Sequence, residues 1–280
     1  MRVLLTGGSG AVGAFVAPAL AEAGHETIHL ARRPPGPGAP FLPWSLADRS
    51  PDPPAADALV HLALAHAPGR YRGGEGDDPA AFLALNRDGT LALFDAARAR
   101  GARVLLLSSR AVYGDARRGE TLRETDPLAP DTLYGVLKAE LEAAANVALR
   151  ATGVYGRPPD GGPHKWEGLF ADFRAGRPVA PRRATEIHGA DLAAAILALL
   201  ADPAARGPFN ASDLLLDRAD LLAAVAARTG CAHPPPPPAP GPSPGAMATD
   251  RLRALGWRPG GPARLAGFLD AEFGPPLSGR

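Results

Sequence analysis

Through the first 155 residues, short apolar segments alternate with longer alanine- and leucine-rich ones, and that alternation narrows the possible folds more than any other feature of the chain. Strands are expected at 2–6, 25–31, 58–64, 103–108 and 147–152, and helices at 11–23, 79–100 and 130–145. Continuous apolar strands separated by helices pair in parallel through right-handed crossovers, so the fold class is α/β, a doubly wound parallel sheet. Ligands of such sheets collect at the carboxyl ends of the strands. Past Tyr155 the pattern loosens into Gly/Pro loops, with helices expected at 190–201 and 218–229 and a polyproline II connector at 234–238.

Composition removes several classes. A chain of 280 residues with a net charge of +1 and no Lys/Arg block lacks the field that holds a polyphosphate backbone, so nucleic acid is not an expected partner. No apolar run approaches the roughly 20 residues that span a bilayer, and the N-terminus enters a glycine turn too early to read as a secretory signal. The one cysteine, Cys231, has no intrachain partner, which fits a reducing cytoplasm.

The strand Val3-Leu4-Leu5 runs straight into Thr6-Gly7-Gly8-Ser9-Gly10-Ala11-Val12-Gly13 and then a helix. Gly7 permits the tight turn, Gly10 lets backbone approach a pyrophosphate, and Gly13 allows close packing of the helix on the strand. The helix N-terminus, including Ala11 and Val12, attracts anionic oxygens. A dinucleotide is therefore the expected cofactor. The second strand ends Leu30-Ala31-Arg32-Arg33 with no carboxylate for a ribose 2′-hydroxyl, which favours NADP over NAD, with Arg32 as the 2′-phosphate candidate.

Tyr134 and Lys138 lie one helical turn apart. A phenol with a pKa near about 10 is a poor base at neutral pH, and bringing it to about 7 requires roughly 4 kcal/mol of differential stabilisation, which a neighbouring ammonium helps to supply. Lysine occurs only at 138 and 165, so this spacing is informative. Ser109, at the carboxyl end of the strand from Val104, is placed either to polarise a reacting oxygen or simply to cap the strand end. His61, His66 and His188 read as structural or loop residues, because no ligand spacing accompanies them and no metal is expected.

These segments together resemble the NAD-dependent epimerase/dehydratase family of extended short-chain dehydrogenases. The resemblance runs through the glycine turn, His61-Leu62-Ala63, Asn86 with Thr90 and Leu93, Ser108 to Gly114, and the Tyr134/Lys138 pair. It continues through Leu149 to Gly156, Ile187-His188 with Asp191-Leu192, and Leu255 to Pro259. It implies a Rossmann-type domain over 1–155 and a small substrate lobe over 156–280, with a helix and strand at about 184–212 returning to the first domain. It also implies Tyr134 as acid/base, Lys138 on the nicotinamide ribose and Ser109 on the substrate oxygen. Leu62, Ala63 and Asn86 would join the cofactor site, and a homodimer would form through the helices near 86–100 and 134–146.

Departures from the family pattern sharpen the expectation. Arg110 and Ala111 stand where the family's dehydratases carry Asp-Glu, which disfavours dehydration. Ala184 stands where its epimerases carry an arginine four residues before the His-x-x-Asp histidine, with Arg182 and Arg183 displaced, and Ser45 replaces an aspartate near the adenine. The expected activity is hydride transfer on a sugar, nucleotide-sugar or other small hydroxyl or carbonyl compound, by an epimerase or an oxidoreductase. A compact lobe suits a uronate-type dehydrogenase or small carbonyl reductase, and a non-catalytic dinucleotide-binding regulator is the alternative class.

Overall fold

The computed structural model describes residues 1–36, 38–66 and 74–277. Seven parallel strands form the central sheet: β1 (Arg2–Thr6), β2 (Glu26–Ala31), β3 (Phe41–Pro43), β4 (Ala58–His61), β5 (Arg103–Ser109), β7 (Val147–Ala151) and β10 (Gly207–Ala211). Their spatial order is β10-β7-β5-β4-β1-β2-β3, which reverses direction between β1 and β4. That reversal opens a crevice at the carboxyl ends of these two strands.

Side-chain alternation explains why both faces of the sheet are covered. Val3, Leu5, Val60, Leu105, Val147 and Leu149 face one core, which α1 (Gly13–Glu22) and α5 (Gly189–Ala201) close with Phe15, Val16, Leu20, Leu192 and Ile196. Leu4, Leu59, Val104 and Leu106 face the other, closed by α2 (Pro79–Ala99) and α3 (Leu133–Ala144) through Leu93, Phe94, Leu137 and Leu141. The doubly wound Rossmann-type architecture is thus present.

Several boundaries differ from expectation. The strand expected over 58–64 ends at His61, and the helix expected from 130 starts at Leu133, where Thr132 caps it by accepting from Gly135 N. The segment beginning at Val147 leaves the central sheet after Ala151: β8 (Gly153–Tyr155) pairs instead with β9 (Arg183–His188), which pairs antiparallel with β11 (Leu214–Asp217). A two-stranded ribbon joins β6 (Thr121–Leu122) to β12 (Ala246–Met247). Around the second sheet, α4 (Glu167–Arg174), α6 (Arg218–Thr229) and α8 (Gly261–Phe273) enclose an aromatic cluster of Tyr155, Trp166, Phe170, Phe173 and Phe268.

The short α7 (Asp250–Ala254) leads to Trp257, whose indole donates to the Asp191 carbonyl at 2.8 Å. The Asp191 carboxylate accepts from Gly260 N at 3.1 Å and from Arg264 at 3.2 Å. Two sequence landmarks some 70 residues apart, the start of α5 and the C-terminal tryptophan, therefore form one latch.

Gly89 is buried in α2, and a Cβ there would fall 1.9 Å from the Leu46 carbonyl oxygen, whereas Gly267 in α8 faces open space. Alanine in a free helix position is more favourable than glycine by roughly 1 kcal/mol, but overpacking costs about 1–3 kcal/mol. Urea unfolding is expected to show Gly267→Ala stabilised and Gly89→Ala destabilised. Equal shifts in the two variants would contradict the close approach of α2 to the loop after β3.

Candidate active site

The glycine turn after β1 is built by close backbone contact. Gly7 adopts φ +68°, and a Cβ on it would meet Ala63 N at 2.8 Å, so the turn lies directly against the loop leaving β4. At Gly13 a Cβ would strike the Gly7 carbonyl at 2.1 Å. Its close neighbour is thus the turn itself rather than the strand expected from sequence. Gly10 is exposed and less crowded, with the Gly7 carbonyl at 3.2 Å from its would-be Cβ. Helix α1 begins with Val12 as its N-cap, without a side-chain cap or an acidic residue in its first turn. Among the described residues, the backbone N–H groups of Ala11 and Val12 meet no acceptor. Unpartnered N–H groups at a helix N-terminus fit a pyrophosphate.

The loop after β4 is braced from below. Thr6 Oγ1 accepts from Leu62 N at 3.1 Å and Ala63 N at 3.2 Å, which leaves its proton for His61 Nδ1 at 3.0 Å. By that assignment His61 Nε2 carries the proton and donates to Thr90 Oγ1 at 3.1 Å. Complete burial, with a smaller contribution from Lys138, holds His61 down to about 3, so it stays neutral and acts as a brace. Asn86 is fully buried and its amide is used on backbone: it accepts from Ala65 N at 2.7 Å and donates to the Ala65 and Phe82 carbonyls. Asn86 thus holds the loop that carries Leu62 and Ala63. Arg32 is exposed just past the end of β2, beside Ala31.

One face of α3 carries Tyr134 and Lys138 at successive turns. The Lys138 ammonium lies 5.8 Å from the centre of the Tyr134 ring and donates to the Leu107 carbonyl at 2.8 Å, with the residue only 3% exposed. Burial pulls its pKa down to about 8, opposed by the negative charge of Glu142. Ser109 ends β5, and its hydroxyl accepts from Ala111 N at 3.1 Å, capping a single 3-10 turn, Arg110–Tyr113. The strand-end cap is thus formed, and the hydroxyl proton remains to be donated. A Cβ on Gly135 would lie 2.6 Å from the Ala111 carbonyl, so the glycine between Tyr134 and Lys138 lets α3 press onto the turn that Ser109 starts.

Sequence reasoning missed the polar network beneath this face. Glu142, one turn beyond Lys138, accepts from Ser108 and takes a two-pronged salt bridge from Arg150, closest at 2.6 Å. Arg150 also donates to the Tyr113 hydroxyl at 2.7 Å, which lies 2.8 Å from Asn210 Oδ1. The signal was available: an arginine inside β7, whose five residues are all buried, needs a buried partner. Arg110, where dehydratases carry an acid, turns away to the Gly245 carbonyl at 2.9 Å and Asp115 at 3.0 Å.

The model of the NAD dependent epimerase/dehydratase family matches residues 3–211. The chain belongs to that family. Among solved structures, a UDP-glucose 4-epimerase of Thermus thermophilus in complex with NAD is 28% identical, with a TM-score of 0.73 over 93% of this chain and 94% of that one. A Thermotoga maritima UDP-glucose 4-epimerase with UDP-glucose, 22% identical, shares the fold at a TM-score of 0.76 over 98% of each chain. An Agrobacterium tumefaciens short-chain dehydrogenase/reductase with bound NAD, 24% identical, does so at 0.74 over 97% of each. No curated protein matches the chain. Membership of this family makes an enzyme with an NAD-type cofactor the supported class, and no described helix is long and apolar enough to cross a membrane.

Glu142→Gln removes the negative charge that holds the Lys138 proton, so the Lys138 pKa is expected to fall below about 8 and its charge to be lost at lower pH. Breaking the buried pair with Arg150 should also cost about 3–5 kcal/mol in urea unfolding. Because only two lysines are present, NMR of the chain made with isotopically labelled lysine resolves the first effect. An unchanged Lys138 titration would remove Glu142 from its surroundings.

Proposed function

We propose that this chain is an NAD(P)-dependent oxidoreductase or epimerase that acts on a hydroxyl-bearing carbon of a small sugar or sugar-derived substrate. The observation that carries this reading is the buried Lys138 ammonium, anchored on Leu107 at the strand end, beside the Tyr134 ring and next to the Ser109 turn. When bound, the nicotinamide supplies the hydride chemistry. Tyr134 takes the proton from the substrate hydroxyl, or returns it to the carbonyl oxygen, as general base and acid. Ser109 donates its remaining hydroxyl proton to that same oxygen, and fixed donors of this kind stabilise developing charge. Lys138 stabilises the phenolate by its charge and offers a donor to the cofactor ribose. Gly7, Gly10, Ala11, Val12 and Gly13 seat the pyrophosphate on the helix N-terminus, while Leu62 and Ala63, held by Thr6 and Asn86, form the opposite wall.

Tyr134→Phe is expected to lower kcat on any accepted substrate by about 10²–10⁴-fold, the usual size of general acid–base catalysis, with dinucleotide affinity nearly unchanged. Full turnover by that variant would end the assignment. Arg32 beside an uncharged Ala31 favours a 2′-phosphate, so NADPH should bind more tightly than NADH in fluorescence titration. Arg32→Ala should erase most of that preference; a preference for NADH in the unaltered chain would reverse the assignment.

A further inference from the structure

The second sheet holds a concentration of positive charge that the chemistry above does not use. Ala184 and Glu186 lie on one face of β9, and with Arg182 just before the strand they line a cavity of about 30 Å³ together with Trp166, Leu216 and Arg218. The Lys165 ammonium is paired with Glu186 and lies 5.3 Å from the centre of the Trp166 ring. Lys165 is ion-paired with Glu186, and the charges of Arg182 and Arg218 also act on that carboxylate. Arg183, on the opposite face of the strand, is already neutralised by Asp217 at 3.1 Å. The Arg218 guanidinium donates to the Ala180 carbonyl at 2.7 Å, and among the described residues neither Arg182 nor Arg218 forms an ion pair.

Part of the cluster stands over Gly153, two residues past the end of β7. A Cβ on Gly153 would lie 2.5 Å from a Glu186 carboxylate oxygen and 2.7 Å from the Lys165 ammonium, so the pair occupies the space that a side chain at 153 would fill. Ala151, two residues earlier, is the register partner of Ser109. Two residues of chain span at most about 7 Å and paired strands lie about 4.8 Å apart, so Gly153 stands within about 12 Å of Ser109, backbone to backbone.

We propose that Lys165, Arg182 and Arg218 form a receptor for a single compact oxyanion on the substrate, a carboxylate or a phosphate monoester, with Glu186 orienting Lys165. This rests on the hydride-transfer reading above and narrows its substrate class to sugar acids or sugar phosphates. A cavity with room for a water or two suits one anionic group, whereas ligand pockets for larger molecules measure roughly 300–1,000 Å³. Ala184 adds no charge where the family's nucleotide-sugar epimerases have an arginine, so the receptor is offset from theirs to Arg182 and Arg218.

Isothermal titration calorimetry of the full chain, with and without NAD(P), tests this using glucose, glucuronate, glucose 6-phosphate and UDP-glucose. One of the two anionic sugars is expected to bind at least tenfold more tightly than glucose, and which one does so separates carboxylate from phosphate. The Arg182→Gln/Arg218→Gln variant should lose at least tenfold of that affinity and keep its dinucleotide affinity. Equal binding of charged and neutral sugars, no binding of either anion, tighter binding of UDP-glucose than of both, or an unaffected double variant would each overturn the receptor. Failure of dinucleotide binding would instead defeat the hydride-transfer reading, and the sugar comparison on the cofactor-free chain would still report on the anion receptor.

Discussion

The candidate site depends on how closely α3 can lie against the end of β5. Gly135 removes the Cβ that would meet the Ala111 carbonyl at 2.6 Å, and the helix settles onto the 3-10 turn begun by Ser109. Once it has settled, the four-residue period presents three polar groups to the sheet in succession. Tyr134 lies beside the Lys138 ammonium, Lys138 reaches the Leu107 carbonyl, and Glu142 reaches Ser108 and Arg150. The charge beside Tyr134 thus depends on the carboxylate two turns along. A lysine buried to this degree loses much of its hold on a proton, and the nearby carboxylate restores part of it.

Burial has different consequences at neighbouring polar groups. His61 is driven neutral and becomes a fixed link between Thr6 and Thr90. Glu142 and Arg150 instead remain paired, with side chains 8% and 4% exposed and further hydrogen bonds to Ser108 and Tyr113. A buried pair of this kind adds little stability relative to apolar residues of the same size, yet loss of either member is costly. Its effect here is positional: it joins α3, β5, β7 and, through Tyr113 and Asn210, β10.

Much of this was legible in the chain. Alternating apolar segments marked β1, β2, β4, β5 and β7, five of the seven strands of the parallel sheet, because strands buried on both faces carry uninterrupted apolar side chains, whereas the three-residue edge strand β3 gave no such signal. The glycine spacing marked the turn, and the Tyr134/Lys138 spacing marked one helical face. Glu142 was also within reach of sequence reasoning, since it repeats the same spacing once more. Arg182 and Arg183 look equivalent in sequence, but the first lines the small cavity beside β9 while the second, at the start of the strand, pairs with Asp217.

Local rules acting over a few residues determined what the sequence could announce: strand or helix, the positive φ of Gly7, and which residues share a face of α3. Tertiary structure alone decided which distant groups meet, including Gly7 with Ala63, Asp191 with Trp257 and Arg264, and Lys165 with Glu186 over Gly153. The reason is physical. A hydrogen bond or ion pair across many residues leaves no periodic mark on the chain, and its partner is set by where the sheet and its helices place each backbone in space.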